Sequence, residues 1–294
     1  MIRPAQYSFI VINIFMLISC IQDDCEKCRD NTAPSNKLCI TFAGSNADVK
    51  SVSMFSPNVM ASVFTYNSGD NPQSKESYSG TPFTVISDSS GNLIPISKTN
   101  FFLPPGYYDF YSVSVNQSES EGPEFTKGES KPLNNGVDYL WAASEDVKVF
   151  ENQVIIFNYK RCAVAIEIEI GKNNESIFAD SLLIRQPTES SYMNLGTGII
   201  SFSNSLEHTY TPMYLEHNRA TSIILPLIKG VDIPVLMKRD NKIYRCTIPS
   251  PEHGFEGGVI YKYKAVIGEN AAKIVAASVN PWIYKPVITI EINE

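Results

Sequence analysis

The 294-residue chain is poor in charge, in histidine and in helical sequence periodicity. Charged residues make up 19% of the chain, and their net charge of −7 offers no basic surface for a nucleic-acid backbone. The chain has 3 histidines and no Cys/His cluster at zinc-finger spacing, which leaves little material for a metal site. We therefore expect no nucleic-acid partner, no bound metal and no cofactor.

Motifs of catalysis are also missing. The sequence contains no Gly-x-Ser-x-Gly, His-Glu-x-x-His or Gly/Lys phosphate-binding motif. His208, His217 and His253 lie in polar, loop-like sequence, which is typical of surface histidines. Glu167 and Glu169 alternate with apolar residues, so a strand would turn them to solvent rather than into a glycosidase cleft. The sequence predicts that the protein is not an enzyme.

The N-terminus has the pattern of an export signal. Arg3 precedes an uncharged apolar run, Tyr7 to Ile18, which is shorter than the roughly 20 residues that a membrane-spanning helix needs. The run ends in Leu17-Ile18-Ser19-Cys20, which resembles the bacterial lipobox. We predict a signal peptide over residues 1–19, cleavage between Ser19 and Cys20, and lipid on Cys20. The alternative is an uncleaved anchor helix with an incidental cysteine.

The residues after Cys20 favour a surface lipoprotein. Ile21-Gln22-Asp23-Asp24 resembles the acidic signal that directs lipoproteins of Bacteroidota to the outer face of the outer membrane. Residues 20–37 are polar without apolar alternation, which predicts a lipidated flexible tether.

Five cysteines remain besides Cys20, and their pairing stays open. Cys25-x-x-Cys28 with Cys39 nearby could suggest metal or redox chemistry, but no fourth ligand follows at zinc-site spacing. In an oxidising compartment, a local disulfide near the tether, or unpaired Cys162 and Cys246 buried in strands, is the simpler interpretation.

From residue 38 onward the chain alternates apolar and polar residues in short segments separated by turn residues, the pattern of antiparallel sandwiches. The segment Asn116 to Gly136 lacks alternation and predicts a long surface loop. A domain boundary near Tyr159 to Cys162 divides the chain into N-terminal and C-terminal β-sandwiches, residues 38–160 and 161–294. Strands predicted outside the loop are Leu38 to Ala43, Val59 to Tyr66, Phe83 to Ile86, Leu93 to Ile96, Phe101 to Leu103, Tyr107 to Val113, Asp138 to Ala142, Gln153 to Tyr159, Val164 to Ile170, Leu182 to Arg185, Gly198 to Ser203, Thr221 to Leu227, Ile233 to Lys238, Ile243 to Ile248, Val259 to Ile267, Ile274 to Ser278 and Val287 to Ile292.

Four sequence blocks in a fixed order carry a family resemblance. They are Phe102 to Tyr111, Asp138 to Ala142, Val154 to Ile170, and Gly257 to Tyr263 with the later Pro281-Trp282. Behind a lipobox, this order resembles the fimbrillin family of Bacteroidota, the FimA- and Mfa-like pilus proteins. The resemblance implies an all-β protein of two tandem transthyretin-like antiparallel β-sandwich domains. It also implies that other fimbrial subunits are its partners, joined to it by donor-strand exchange.

The resemblance implies a maturation step from which this sequence departs. In the family, an Arg-directed protease removes the lipidated N-terminus with the first strand, and a C-terminal strand of the next subunit fills the opened groove. Here no arginine lies between the first two predicted strands, only Lys50, and Arg29 lies in the tether. We therefore expect a membrane-retained anchor-type or minor subunit of a fimbria; a processed stalk or tip fimbrillin is the alternative.

The C-terminus contains the candidate donor strand. Ile288, Ile290 and Ile292 alternate with Val287, Thr289 and Glu291, so an extended conformation would place the isoleucines on one face. The segment is either a donor to a neighbouring subunit or an edge strand of the second sandwich.

Two other classes of protein share these features. A surface glycan-binding lipoprotein would need an exposed aromatic platform, for which Trp141, Trp282, Tyr107 and Tyr108 are candidates, although their apolar surroundings favour core positions. A structural lipoprotein that does not polymerise is the third reading.

Overall fold

The computed structural model describes residues 37–46, 53–54, 57–172, 175–267 and 272–281. Every regular element in these ranges is a β-strand, which confirms the predicted all-β fold class. Within the same ranges no helix is long and apolar enough to cross a membrane. The predicted signal peptide, most of the predicted tether and the candidate donor strand lie outside the described residues.

The N-terminal sheet is built from strands between residues 38 and 161 and closes on itself. Its strands run in the order β11-β10-β7-β3-β4-β5-β1-β2, with β6 also paired to β1 and β1 paired to β11. β8 and β9 form a separate hairpin. The bounds are β1 Leu38–Asn46, β2 Ser53–Met54, β3 Met60–Asn67, β4 Phe83–Ser87, β5 Asn92–Pro95, β6 Phe101–Leu103, β7 Gly106–Ser114, β8 Phe125–Thr126, β9 Glu129–Ser130, β10 Leu140–Val149 and β11 Gln153–Arg161.

The C-terminal strands form two sheets that enclose a core. One sheet has the order β16-β17-β12-β20-β21, with β13 paired to β12, and the other has the order β15-β14-β18-β19. The pairs β1–β11 and β12–β20 are parallel, whereas the remaining ladders between these strands are antiparallel. The bounds are β12 Val164–Lys172, β13 Glu175–Ser176, β14 Ser181–Pro187, β15 Leu206–Pro212, β16 Tyr214–Glu216, β17 Arg219–Ile224, β18 Ile233–Arg239, β19 Lys242–Ile248, β20 Val259–Ile267 and β21 Ala272–Pro281.

Apolar alternation accounts for these elements and for the position of the core. In β12, Val164, Ile166, Ile168 and Ile170 are each fully buried, while Glu169 on the opposite face is exposed. These isoleucines belong to the core between the two C-terminal sheets. A second core fills the N-terminal sheet, and a third joins residues from both halves, among them Val113, Leu133, Cys162, Met193 and Leu225.

Two predictions from the sequence were wrong in detail. Gly198 to Ser203 is not a strand, because its residues make only isolated bridges, such as Met193 with Ile200. The segment Asn116 to Gly136 is not entirely a surface loop, since it contains β8 and β9 and buries Leu133 and Ser130. The strands β15 and β16 have no counterpart among the predicted strands.

Candidate functional site

The first strand, β1, lies inside the N-terminal sheet rather than at an exposed edge. On one side it pairs in parallel with β11, from Ile40 opposite Gln153 to Asn46 opposite Tyr159. On the other side it pairs with β6, β5 and β2 in succession along its length. Because both sides of β1 carry ladders, removing the strand would leave two rows of backbone groups without partners.

The side chains of β1 fill the centre of the N-terminal core. Phe42 and Ile40 are each only 2% exposed, whereas Thr41 between them points to solvent. The ring of Phe42 lies 5.7 Å from that of Phe101 and 5.8 Å from that of Phe157, measured between centroids. The rings of Phe83 and Phe110 both lie 6.1 Å away. Four aromatic rings therefore surround one side chain of the first strand.

Hydrogen bonds fasten β1 near both of its ends. At the beginning, the backbone N–H of Cys39 donates to Oδ1 of Asn152 at 2.8 Å. Toward the other end, the hydroxyl of Ser45 donates to Oδ1 of Asn158 at 2.7 Å. These bonds fix the register of the strand, so the side chains of β1 are held over one set of core pockets.

The groove that β1 fills is lined by apolar side chains. Its walls are buried side chains of the N-terminal core, among them Leu93, Phe101, Phe110 and Phe157. A strand with apolar residues at every second position would match these walls, and its backbone would complete the two ladders. The groove is thus suited to β-strand addition, but β1 already occupies it.

Few arginine or lysine residues lie near β1, where a protease that cuts after basic residues could act. No arginine occurs between residues 30 and 160, so the chain between β1 and β3 contains none. Lys50, the basic residue in that connection, lies outside the described residues. The first arginine after β1 is Arg161, whose Nε lies 3.0 Å from Oδ2 of Asp138 in a largely buried ion pair.

Three of the proposed aromatic platform residues take different positions. Trp141 donates its indole N–H to the carbonyl oxygen of Leu195 at 2.6 Å and packs beneath Lys160, whose Nζ lies 4.2 Å from the ring centroid. Tyr108 is buried and donates its hydroxyl to the carbonyl oxygen of Pro104. Tyr107, by contrast, is 50% exposed. Trp282 lies outside the described residues.

An exposed aromatic pair does occur on the N-terminal sheet. Tyr107 and Phe150, the latter 54% exposed, pack edge to face with centroids 5.8 Å apart. The amine of Lys148 lies 5.2 Å from the centroid of Phe150. Phe150 was not among the residues singled out from the sequence, because it follows β10 and has no neighbour in sequence to mark it as part of a pair.

The segment from β8 to residue 137, here called the strap, joins the two halves. The N–H of Leu133 donates to the carbonyl oxygen of Ser191, and the N–H of Gly136 donates to that of Ile223, each at 2.9 Å. Asn135 accepts from the backbone N–H of Leu225 at 3.0 Å. The sequence around Leu133 to Gly136 lacks alternation and did not reveal this role, because the hydrogen-bond partners of these residues lie in the C-terminal half of the chain.

Among the described residues, the titratable groups give no sign of a reactive centre. His208, His217 and His253 are exposed, as predicted. Burial raises the pKa of the Cys246 thiol to about 11, which disfavours the reactive thiolate. Among the described residues, no group of His, Cys, Asp and Glu is arranged to hold a metal ion.

Glu167 lies on the face of β12 opposite the buried isoleucines, as the alternation predicts, but cationic side chains cover part of it. Its carboxylate lies 3.4 Å from Arg219 and 3.5 Å from Lys262, and its side chain is only 19% exposed. Parallel β20 and antiparallel β17 flank β12 and bring these two cations beside it. Glu167 is therefore part of a surface ion-pair network across three strands.

β21 is the last described strand. Pro281 lies opposite Val259, and the candidate donor residues Ile288, Ile290 and Ile292 follow in the sequence outside the described residues. Ser19 and Cys20 are likewise outside them.

Comparison with known proteins identifies the family. The sequence pattern of the fimbrillin-like family matches residues 51–282, which is most of the chain. The chain belongs to the fimbrillin-like family. This membership makes it a structural component of fimbriae, which are appendages of the cell surface. No curated protein matches the sequence.

Solved structures share the fimbrillin-like fold at low sequence identity. A candidate cell adhesion protein from Bacteroides uniformis is 11% identical with a TM-score of 0.64, and the alignment covers 85% of this chain and 100% of that one. A candidate cell adhesion protein from Bacteroides ovatus is 13% identical with a TM-score of 0.63, covering 84% and 99%. The tip fimbrial protein Mfa3 from Porphyromonas gingivalis, with a C-terminal truncation, is 10% identical with a TM-score of 0.50, covering 84% and 100%.

Proposed function

We propose that this fimbrillin-like protein is an anchor-type or minor subunit that stays on the outer membrane through lipid on Cys20. In this proposal the protein keeps its own first strand and joins the fimbria by donating its C-terminal strand to a neighbouring subunit. The observation that carries the proposal is the position of β1, which is built into the N-terminal core beside a connection that contains no arginine.

The packing of β1 supports its retention in this proposal. Burying a phenylalanine such as Phe42 stabilises a protein by about 1.5 to 3 kcal/mol relative to leaving it exposed, before the contacts with surrounding rings are added. Cleavage at Arg29 would release the protein from lipid and leave β1 in place. A groove that stays closed cannot accept a donor strand, which suits the end of a polymer rather than its middle.

The C-terminal segment supplies the complementary half of the proposal. Burial of Ile288, Ile290 and Ile292 in the groove of a neighbour would contribute about 1.5 to 3 kcal/mol each before the entropic cost of ordering. Backbone hydrogen bonds would set its register. The segment begins a few residues beyond Pro281, so it can leave the C-terminal sheet without disturbing β21.

We also propose that the two domains are residues 38–160 and 161–294. Sheet membership supports a boundary within a few residues of this point, because β11 of the N-terminal sheet ends at Arg161 and β12 of a C-terminal sheet begins at Val164. The strap and the third core then form the contact between the domains.

The N-terminal residue of the protein recovered from cells tests the anchor assignment. An acylated Cys20 is expected, with β1 present in the same chain. A protein that begins at Ser51 would instead show cleavage after Lys50 and an opened groove, which would make it a stalk-type subunit. A protein that begins at Asp30 would be released from lipid with its groove closed, and it would contradict membrane retention.

Glycan binding is a second candidate function, favoured by the exposed pair Tyr107 and Phe150. Aromatic faces at the surface can stack on sugar rings, and this pair joins Tyr107 of β7 to Phe150, which directly follows β10. A glycan array probed with the protein and with a Tyr107→Ala, Phe150→Ala variant tests it. Binding that the variant loses would support a carbohydrate ligand, and absence of binding by the unaltered protein would exclude those glycans.

A further inference from the structure

Tension applied at the two termini would load the first strand, β1, and the last described strand, β21, in different directions. The ladder of β1 with β11 is parallel, and the ladder of β21 with β20 is antiparallel. This inference rests on the proposed function, in which lipid holds the N-terminus and a neighbouring subunit holds the C-terminus. Any pull on the fimbria would then pass along the chain from Leu38 to Pro281, and the ladders along that path decide which strand yields first.

In the N-terminal sheet the pull acts in shear. β1 is drawn by its first residue, whereas the parallel neighbour β11 is drawn by its last residue, Arg161. The two strands are aligned over 7 residue pairs, from Ile40 opposite Gln153 to Asn46 opposite Tyr159. Opposite pulls at the far ends of parallel strands make them slide past each other, so the hydrogen bonds of the whole ladder are loaded together.

In the C-terminal sheet that contains β12, β20 and β21, the pull acts perpendicular to the strands and separates them. Ala165 of β12 lies opposite Ile260 of β20, and Ile260 lies opposite Asn280 of β21. The start of β12 and the end of β21 are therefore at the same end of the sheet, about 10 Å apart at the usual strand spacing. Force applied at these two points opens the β20–β21 ladder one pair at a time, beginning at Pro281.

β21 is also held by fewer ladders than β12, the first strand of the same sheet in the chain. Within the described residues β21 pairs with β20 alone and is the last strand of its sheet, while β19 of the other sheet lies beside it without a ladder. β12 lies between β17 and β20, so its extraction would break two ladders. The start of β12 is fastened further by the N–H of Gly258, which donates to the carbonyl oxygen of Ala163 at 2.7 Å.

We infer that β21 is a tension-released extension segment. Under load it peels from β20 and lengthens the connection to the next subunit, while the N-terminal sheet stays closed around β1. A strand of 10 residues supplies up to about 35 Å of extended chain. When the load falls, the strand pairs again with β20, so the anchor yields without losing its neighbour.

Pulling single molecules of the mature chain by handles at its two termini tests the inference. The first increase in the length of the molecule should be no larger than the chain released by detachment of β21 and the residues that follow it. This increase should occur at a lower force than any later event. A disulfide between Ile260→Cys and Asn280→Cys should abolish this first event, and a reductant should restore it in the same protein. Directly opposed residues of an antiparallel pair have the Cα separation that a disulfide requires.

A staple elsewhere in the same sheet serves as the matched control. Ala165 and Ile223 are opposed in the β12–β17 ladder, so Ala165→Cys with Ile223→Cys leaves β21 able to peel. The first event should persist in this oxidised control. A first event that survives the Ile260/Asn280 staple, or one whose length corresponds to opening of the N-terminal sheet, would overturn the inference.

The pulling experiment uses purified protein and needs neither lipid nor fimbria. Failure of the anchor proposal in cells would therefore leave the peeling result intact, because the ladders belong to the isolated chain. A negative pulling result would remove the extension segment but would not change which N-terminal residue is found in cells.

Discussion

Replacement of Phe42 by alanine tests whether β1 is an integral strand of the N-terminal core. The ring is 2% exposed and lies within 6.1 Å of four other aromatic rings, measured between centroids. Deleting such a ring removes its burial and leaves a cavity, which destabilises proteins by about 3 to 5 kcal/mol. At a typical urea m-value of about 2 kcal/mol per molar, the unfolding midpoint of the N-terminal sheet should fall by about 2 M.

Tryptophan fluorescence can report this transition selectively. The chain has 2 tryptophans, so Trp282→Phe leaves Trp141 on β10 as the single indole. Urea unfolding of that background is then compared with the Phe42→Ala variant. Unequal m-values would show that the mutation changed the compactness of one state, and the midpoint comparison would be replaced by the extrapolated free energies.

Thr41→Val is the matched control on the same strand. Thr41 is exposed and keeps its β-branched shape in the variant, so its effect should stay within about 0.5 kcal/mol. If Phe42→Ala shifted the midpoint no further than Thr41→Val, β1 would not be part of the core. The reasoning that links retention of this strand to a closed groove would then be refuted.

Four further perturbations give distinct readouts. Cys20→Ala should move the protein out of the membrane fraction or leave an unprocessed precursor on fractionation; unchanged fractionation would contradict the lipid anchor. Deletion of residues 286–294 should abolish incorporation into fimbriae while the thermal denaturation midpoint of the monomer is kept, whereas an edge strand integral to the sandwich would lower it. Gly198→Ala should lower the melting temperature, because φ is +69° and the added Cβ would lie 2.5 Å from the Trp141 ring; an unchanged value would contradict that packing. Stability should decline from about pH 9 to 11 as the unfolded chain loses the Cys246 proton that the native state retains, and Cys246→Ala should make the decline shallower in pH-dependent urea titrations.

Strands with one buried face were predictable from sequence because their signal is local. β12 alternates isoleucine with glutamate, and the hairpin of β4 and β5 is marked by turn residues between Asp88 and Gly91. Each of these features depends on residues that are close in the chain. The two-residue alternation alone therefore located them.

Exposed strands and long-range partners were not predictable in this way. β15 contains His208 and is half exposed along most of its length, so no apolar face marks it as a strand. The parallel pairing of β1 with β11 leaves no trace in either segment, because alternation gives the orientation of side chains and not the identity of the neighbour. The strap was hidden for the same reason, since Leu133 and Asn135 find their partners in the other half of the chain.

Some features of the candidate site were likewise predictable from the sequence and others were not. The absence of arginine between β1 and β3 and the alternating isoleucines at the C-terminus can be read from the sequence. The closed groove cannot, since it depends on Phe42 meeting rings contributed by β4, β6, β7 and β11. The arginine-free connection has structural meaning only once those contacts are known.

The pairing of β1 with β11, the last strand of this sheet along the chain, also affects when the N-terminal sheet can close during folding. Cys39 and Asn152, which meet beside this ladder, are separated by 113 residues. Closing a loop of that length costs about 4 kcal/mol of chain entropy in an ideal flexible chain, and folds rich in such distant contacts fold slowly. β1 is the first of these strands to be synthesised and must wait for β11 before its core can close. For a chain exported as we propose, this delay would leave the N-terminal sheet incomplete until translation has passed Arg161.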